Sequence, residues 1–180
     1  MILVLLLFQT AISLDPCFTT TFRSGMKFEF NNRNDNVHFT LHVPKLIFEP
    51  YEWAGIGIKR IEDGVGMENA DIISFIFKEY IIEDRWATEN GFPPADEDQG
   101  GTLDADIGPT KGIISLETKV LSWDRPLDTK DNFDTKLEYG RRYYLMWAYG
   151  MLEGGDIGYH EDRDYEEFEM VECANSVVTA

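Results

Sequence analysis

Residues 36–43 have the sequence NVHFTLHV, and this stretch indicates the fold class because apolar and polar side chains alternate along it. The apolar positions are Val37, Phe39, Leu41 and Val43. Successive side chains of a β-strand point to opposite faces of the sheet, so the pattern predicts a strand with one buried face. The intervening histidine and threonine side chains would lie on the solvated face.

The same signals recur along the chain, where β-branched and aromatic residues collect into short runs. These runs are WAGIGIKR (53–60), ADIISFIF (70–77), GIISLETKVLSW (112–123), RRYYLMWAYG (141–150) and YEEFEMVE (165–172). Segments rich in proline, glycine and aspartate, such as NGFPPADEDQGG and DRPLDTKDNFD, separate them, and no long helical pattern is present. The sequence therefore predicts an all-β fold, an antiparallel β-sandwich of the immunoglobulin-like kind.

Composition limits the domain count and the classes of partner. A chain of 180 residues with 43% hydrophobic content suits one globular domain. Thirty-three acidic residues against sixteen basic ones give a formal net charge of -17. A nucleic-acid backbone or an anionic membrane would repel such a chain, so neither is expected as a partner.

The amino terminus, MILVLLLFQTAISLDPC, begins with eight apolar residues and has small residues at Ala11 and Ser13. This favours a secretory signal peptide over residues 1–13, followed by a single domain over residues 14–180 and a secreted, extracellular location. A buried first strand is the alternative. No other apolar run is long enough to span a bilayer, so no transmembrane segment is expected.

Two cysteines are present, Cys17 and Cys173. In a secreted protein a pair of cysteines favours a disulfide, which here would join the two ends of the domain. Two free thiols in a cytosolic protein are the alternative.

Several chemistries are excluded by missing residues or motifs. The chain has three histidines, which are too few, with two cysteines, for a Cys/His zinc site or a multi-histidine copper centre. It also has no phosphate-binding glycine loop ending in lysine, no GxSxG and no HExxH. His38 and His42 share one strand face and could hold a metal, but a solvated polar face is favoured because no third ligand is nearby.

Two acidic segments are also candidates for binding. PADEDQGGTLDAD (94–106) contains Asp96, Asp98, Asp104 and Asp106, carboxylates of the kind that calcium prefers. The spacing is not that of an EF-hand, since residue 107 is isoleucine, and a solvated loop is favoured. HEDRDYEEFEMVE (160–172) is expected to be a solvated strand face and a candidate docking edge for a basic partner.

Met67 lies in GVGMENADI (64–72), between a glycine-bearing turn and an apolar run. Methionine is usually a flexible filler of protein cores, and that is one interpretation. The flanking residues instead have the chemistry of a turn that leads into a strand.

Taken in order, the strings WAGIGIKR, GMENADI, EDRWATENGFPPAD, WDRPLDTKDNFD, YYLMWAYG and GYHED resemble the DOMON domain family over roughly residues 25–170. The strongest parts are Met-x-x-Ala-Asp at 67–71, Arg-Pro-Leu-Asp-Thr at 125–129 and the Trp-Ala then Tyr-His ending. The resemblance implies a β-sandwich that holds either a b-type haem or a sugar-like ligand.

In the haem-binding members of this family a methionine and a histidine hold the iron, and the matching positions here are Met67 and His160. The resemblance thus implies a secreted b-type cytochrome domain that binds haem b through these two axial ligands and transfers single electrons. Its partner would be a separate redox protein with a basic docking face.

The alternative is a haem-free binding or adhesion module for a carbohydrate or another small ligand. Trp53, Trp86, Phe92 and Tyr149 are candidates for stacking on a sugar. In either case the chain is expected to be an electron-transfer or binding module rather than an enzyme by itself.

Overall fold

The computed structural model describes residues 16–33, 35–102 and 117–173. They form two antiparallel sheets that pack face to face, which confirms the predicted β-sandwich. The predicted signal peptide, residues 1–13, lies outside the described residues.

The described strands are β1 (Phe18–Thr21), β2 (Lys27–Arg33), β3 (Asn36–Pro44), β4 (Trp53–Arg60), β5 (Ala70–Ile76), β6 (Ile81–Ala87), β7 (Thr118–Pro126), β8 (Arg142–Glu153) and β9 (Asp156–Glu169). One sheet has the order β1-β2-β3-β7 and the other has the order β6-β5-β4-β8-β9. The described helices are α1 (Lys45–Phe48), α2 (Asp96–Gln99) and a 3-10 turn (Ile61–Asp63). Within the described ranges, no helix has the length and apolar character needed to cross a membrane.

The β3 strand confirms the alternation that predicts the fold. Its four apolar side chains are buried, and the side chains between them are partly exposed. The other predicted runs correspond to β4, β5, β7, β8 and β9, although residues 112–116, at the start of the run that ends in β7, lie outside the described residues. Strand period and side-chain type therefore predict six of the nine described strands, and β1, β2 and β6 are the three that the runs do not include.

Aromatic rings fill the space between the two sheets. Phe39 of β3 packs against Trp123 of β7 with ring centroids 5.3 Å apart, and Phe28 of β2 lies 5.6 Å from Phe39. From the other sheet, Tyr143 and Phe168 pair at 5.6 Å. These rings account for much of the apolar surface that the fold removes from water.

A disulfide joins Cys17, just before β1, to Cys173, after β9, with the two Cα atoms 5.1 Å apart. The sequence-based expectation of this pair is confirmed. The bond links the edge strands of the two sheets, because β1 and β9 are each the last strand of their sheet.

Candidate functional site

Met67 lies in the loop between the 3-10 turn and β5. The loop needs glycine, since Gly66 has a φ of 111° and a Cβ there would lie 2.7 Å from Asn90 Oδ1. That same oxygen accepts a hydrogen bond of 2.8 Å from the Met67 backbone N–H. The Met67 side chain is half-buried and belongs to neither core cluster, so the interpretation of this residue as core filler is wrong.

His160 lies on β9, opposite Gly150 of β8. Its Nε2 is 2.8 Å from Nη1 of Arg163, which can only donate, so Nε2 is the acceptor and the ring is neutral. Burial and then the Arg163 charge lower the pKa of His160. The Tyr159 ring lies 4.3 Å from the imidazole.

The structure does not bring Met67 and His160 together. His160 pairs with Gly150 and Gly150 pairs with Trp53 at one end of β4, whereas Asp71, four residues after Met67, pairs with Ile58 near the other end. Five residue steps and three strand spacings separate Asp71 from His160, which is roughly 20 Å at ordinary strand geometry. Met67 lies farther away still, beyond the start of β5. In this arrangement the backbones at the two positions lie far apart, and their assignment as axial ligands of one haem iron stays a prediction.

The two histidines of β3 bind different partners. His38 Nδ1 lies 2.9 Å from Asp124 of β7, and His42 Nε2 lies 2.8 Å from Glu29 of β2. Each histidine therefore pairs with a carboxylate on a neighbouring strand, and the favoured interpretation of a polar outer face agrees with this geometry.

A cluster of buried carboxylates lies between the sheets at the β5–β6 side of the sandwich. Asp71 of β5, Asp84 of β6 and Asp134 offer oxygens that all lie within 4.8 Å of one another. Asp71 and Asp84 face inward because their strand register places Asp84 opposite Ile73, two residues from Asp71 on the same face. We call these three residues, with Arg125 and Asp96, the acidic centre.

Arg125 of β7 reaches across from the other sheet. Its guanidinium forms an ion pair with Asp71 and lies 3.7 Å from Asp134 Oδ1, and it donates to the Thr135 carbonyl at 2.7 Å. Burial disfavours the charged form of Arg125, but the neighbouring charges of Asp71 and Asp134 outweigh that effect and raise its pKa. Asp71 also accepts a 2.9 Å hydrogen bond from the Thr135 backbone N–H.

Asp84 and Asp96 are the least compensated members of the acidic centre. Burial, reinforced by the charges of Asp71 and Asp134, raises the pKa of Asp84 to about 9. The same causes raise the pKa of Asp96 to about 8. Both carboxyl groups are buried, and burial disfavours the ionised form of a carboxylate that has no paired positive charge.

The expectation that segment 94–106 is a solvated loop is wrong at Asp96, which begins α2 and is fully buried. Asp98, on the same helical turn, is exposed as expected. Asp104 and Asp106 lie outside the described residues. Sequence reasoning did not assign the acidic centre, but a signal was present: Asp71 occupies an apolar, inward position of a period-two pattern.

A second polar cluster lies where β9 forms the edge of the sheet. Tyr51 and Tyr149 are half-buried, with ring centroids 4.8 Å apart. Arg23 forms a 2.7 Å ion pair with Asp162 of β9, and burial and then the Asp162 charge raise the pKa of Tyr149. We call Arg23, Tyr51, Tyr149, His160 and Asp162 the edge cluster.

The aromatic residues predicted as sugar-stacking candidates have different environments. Trp53 is buried and donates its indole N–H to the Met151 carbonyl at 3.0 Å, so it is part of the core. Trp86 is half-buried, Phe92 is exposed beneath the Arg85 guanidinium, and Tyr149 belongs to the edge cluster. Of the four candidates, only Tyr149 lies beside the charged groups of the edge cluster.

Two solved structures share the fold. The cytochrome domain of Myriococcum thermophilum cellobiose dehydrogenase is similar over 83% of this chain and 77% of its own, with 14% sequence identity and a TM-score of 0.57. The cytochrome b domain of pyranose dehydrogenase from Coprinopsis cinerea is similar over 84% of this chain and 80% of its own, with 11% identity and a TM-score of 0.54. At these identities the likeness concerns the fold. A search of curated proteins found no match.

The family model of the DOMON domain matches residues 23–150. This range includes the strings that carry Met67, Asp71, Asp96 and Arg125, and it extends from the loop before β2 into β8. Because the match covers most of the sequence and the fold agrees with it, the chain belongs to the DOMON domain family.

Proposed function

We propose that the chain is a haem-free DOMON module that binds a carbohydrate-like ligand at the edge cluster. The observation that carries the proposal is the half-buried pair Tyr51 and Tyr149, whose rings are tilted by 46° with centroids 4.8 Å apart, beside the Arg23–Asp162 ion pair. An aromatic face packs against the apolar side of a sugar ring, and fixed charged groups exchange hydrogen bonds with its hydroxyls.

The neighbouring side chains suit a neutral, hydroxyl-rich ligand. Because Nε2 of His160 accepts from Arg163, the neutral ring has only its Nδ1–H to donate to a ligand. Arg23 also lies 5.5 Å above the Trp147 ring, a cation–π contact that helps to hold the guanidinium. The positions of Met67 and His160 argue against a shared iron, and the module therefore needs no electron partner for this role.

A second candidate function is electron transfer through haem b, with Met67 and His160 as ligands. Its support is the likeness of the fold to two cytochrome domains, one of them a cytochrome b domain. This candidate requires a rearrangement that moves the two side chains to one site. A separate redox protein with a basic docking face would then be its partner.

The experiment is a glycan array on the purified chain, followed by calorimetric titration of the best-bound glycan. Tyr51→Ala removes one ring of the pair, and we expect affinity to fall about tenfold or more, which corresponds to about 1.4 kcal/mol. Tyr165→Ala is the matched control, because Tyr165 is exposed on β9 and packs against Tyr144 instead. A wild-type chain that binds no glycan, or equal losses in both variants, would overturn the proposal.

A further inference from the structure

We propose that the acidic centre holds a calcium ion in the folded protein. The centre lies at the β5–β6 side of the sandwich, whereas Tyr149, His160 and Asp162 of the edge cluster lie on β8 and β9, at the opposite edge of the same sheet. The proposal is therefore independent of the ligand at the edge cluster.

The spacing of the oxygens suits one ion. Oxygen ligands lie about 2.3–2.6 Å from Ca²⁺, so two ligands on opposite sides of one ion are about 5 Å apart. Asp71, Asp84 and Asp134 offer oxygens that lie within 4.8 Å of one another. Three carboxylates from three separate chain segments can thus reach a common ion.

A second observation concerns oxygens with no hydrogen-bond partner. Asp96 is 0% exposed and neither of its carboxylate oxygens has a hydrogen-bond partner, and Asp84 is 5% exposed with Oδ1 in the same condition. Asp96 lies close enough to Asp71 and Asp134 to feel their charges. Buried carboxylate oxygens are normally bonded, so these atoms indicate a missing ligand.

The net charge of the acidic centre also favours a bound cation. The carboxylates of the centre outnumber the guanidinium of Arg125, which pairs with Asp71 and lies near Asp134. A buried cluster of this kind needs protons or a further cation. Among the described residues, the donors grouped at this centre are carboxylate oxygens, with no sulfur or imidazole, which favours calcium over zinc or copper.

The first test is calorimetric titration of the chelator-treated full-length chain with CaCl₂ near neutral pH. We expect one ion per chain with a Kd of about 1 mM or lower, and a rise in Tm of about 5 °C when Ca²⁺ is at 100 times Kd. Mg²⁺ should bind at least about tenfold more weakly, because it requires a near-ideal octahedron of ligands. Absence of saturable Ca²⁺ binding, or equal binding of Mg²⁺, would overturn the proposal.

Isosteric variants assign the site. Asp84→Asn and Asp96→Asn each remove one charge at nearly constant volume, and each should weaken Ca²⁺ binding about tenfold or more, since ligand charge sets calcium affinity. Asp98→Asn is the control, because Asp98 is exposed on the same turn of α2. Circular dichroism in the presence of chelator establishes whether each variant is folded. Two variants are used so that the test can still be made if one of them does not fold. Unchanged affinity in both folded variants, or an equal loss in Asp98→Asn, would contradict the assignment.

Discussion

At the scale of single residues, Met67 lies in a loop whose conformation depends on glycine. The loop that carries it is built from glycines at positive φ and is tied to Asn90. This explains why the residue stands outside the core. Strand order and register leave the backbone of this loop far from that of His160.

We therefore expect the purified chain to be colourless and to remain so after addition of haem. Met67→Leu should alter neither an absorption spectrum nor the fold, and the free energy of unfolding should change by less than about 1.5 kcal/mol, because the swap conserves volume at a half-buried position. His160→Ala should likewise produce no spectral change. The checks are visible absorption and denaturant unfolding.

A haem-bound protein would contradict this prediction and would be recognised by its spectrum. A red protein with sharp, low-spin visible bands that intensify on reduction, and that loses them in both variants, would restore the cytochrome function. His160→Gln is a useful control, since it keeps a polar side chain of similar reach without an imidazole. Loss of colour in that variant would assign the effect to the ring itself.

At the scale of elements, six of the nine described strands could be predicted from sequence, whereas β1, β2 and β6 could not. β3 alternates strictly because one face is buried, so its period is visible. β1 has the sequence FTTT and lies half-exposed at a sheet edge, and β6 carries inward charge at Asp84, so neither shows a clean apolar period. Polar residues at inward positions, which form the acidic centre, hide the pattern used for detection.

The β9 strand is a long edge whose side chains are mostly charged. Edge strands expose unpaired backbone groups, and charge along them prevents unwanted pairing with other chains. In β9 the acidic residues outnumber the basic ones. This surface would attract a cationic partner and repel an anionic one.

We predict that a lysine-rich peptide binds this edge and that its association rate falls as salt rises, because screening weakens charge steering over distances of about 10 Å at 0.1 M salt. Neutralising the exposed carboxylates Glu161, Glu167 and Glu169 to glutamine should slow association severalfold in stopped-flow measurements at low salt.

The matched control removes the same charge elsewhere. Glu68, Glu89 and Glu97 are exposed and lie outside β9, so the triple variant with glutamine at these positions tests the effect of net charge alone. Equal slowing in both triple variants, or rates that do not depend on salt, would show that β9 is not a preferred docking edge.

At the scale of the whole molecule, the sandwich brings together residues that lie far apart in sequence. Asp71, Asp96 and Arg125 come from three of the strings that carry the family resemblance, and they meet because β7 of one sheet faces β5 and β6 of the other. Sequence could identify the strings, but their convergence depends on sheet order and on the packing of one sheet against the other. Neither is encoded in a local period.

The disulfide acts at this same scale, since it joins Cys17 to Cys173 across 156 positions of sequence. Closing so long a loop restricts the unfolded chain, and the chain-entropy model gives about 5 kcal/mol as an upper estimate of the stabilisation. Within the fold, Cys173 Sγ also accepts a 3.0 Å hydrogen bond from the Asn32 backbone N–H, so the bond is tied to β2.

The double variant Cys17→Ser, Cys173→Ser should therefore lose about 2–5 kcal/mol in free energy of unfolding, measured by denaturant titration. Its affinities for glycan and calcium should stay unchanged, because both sites lie away from the disulfide. Reductant should destabilise the wild-type chain by a similar amount and leave the double variant unaffected, which separates loss of the cross-link from loss of cysteine packing. Two titratable thiols in the denatured, unreduced wild-type protein would contradict the pairing, and a change in calcium affinity in the double variant would show that the cross-link positions the acidic centre.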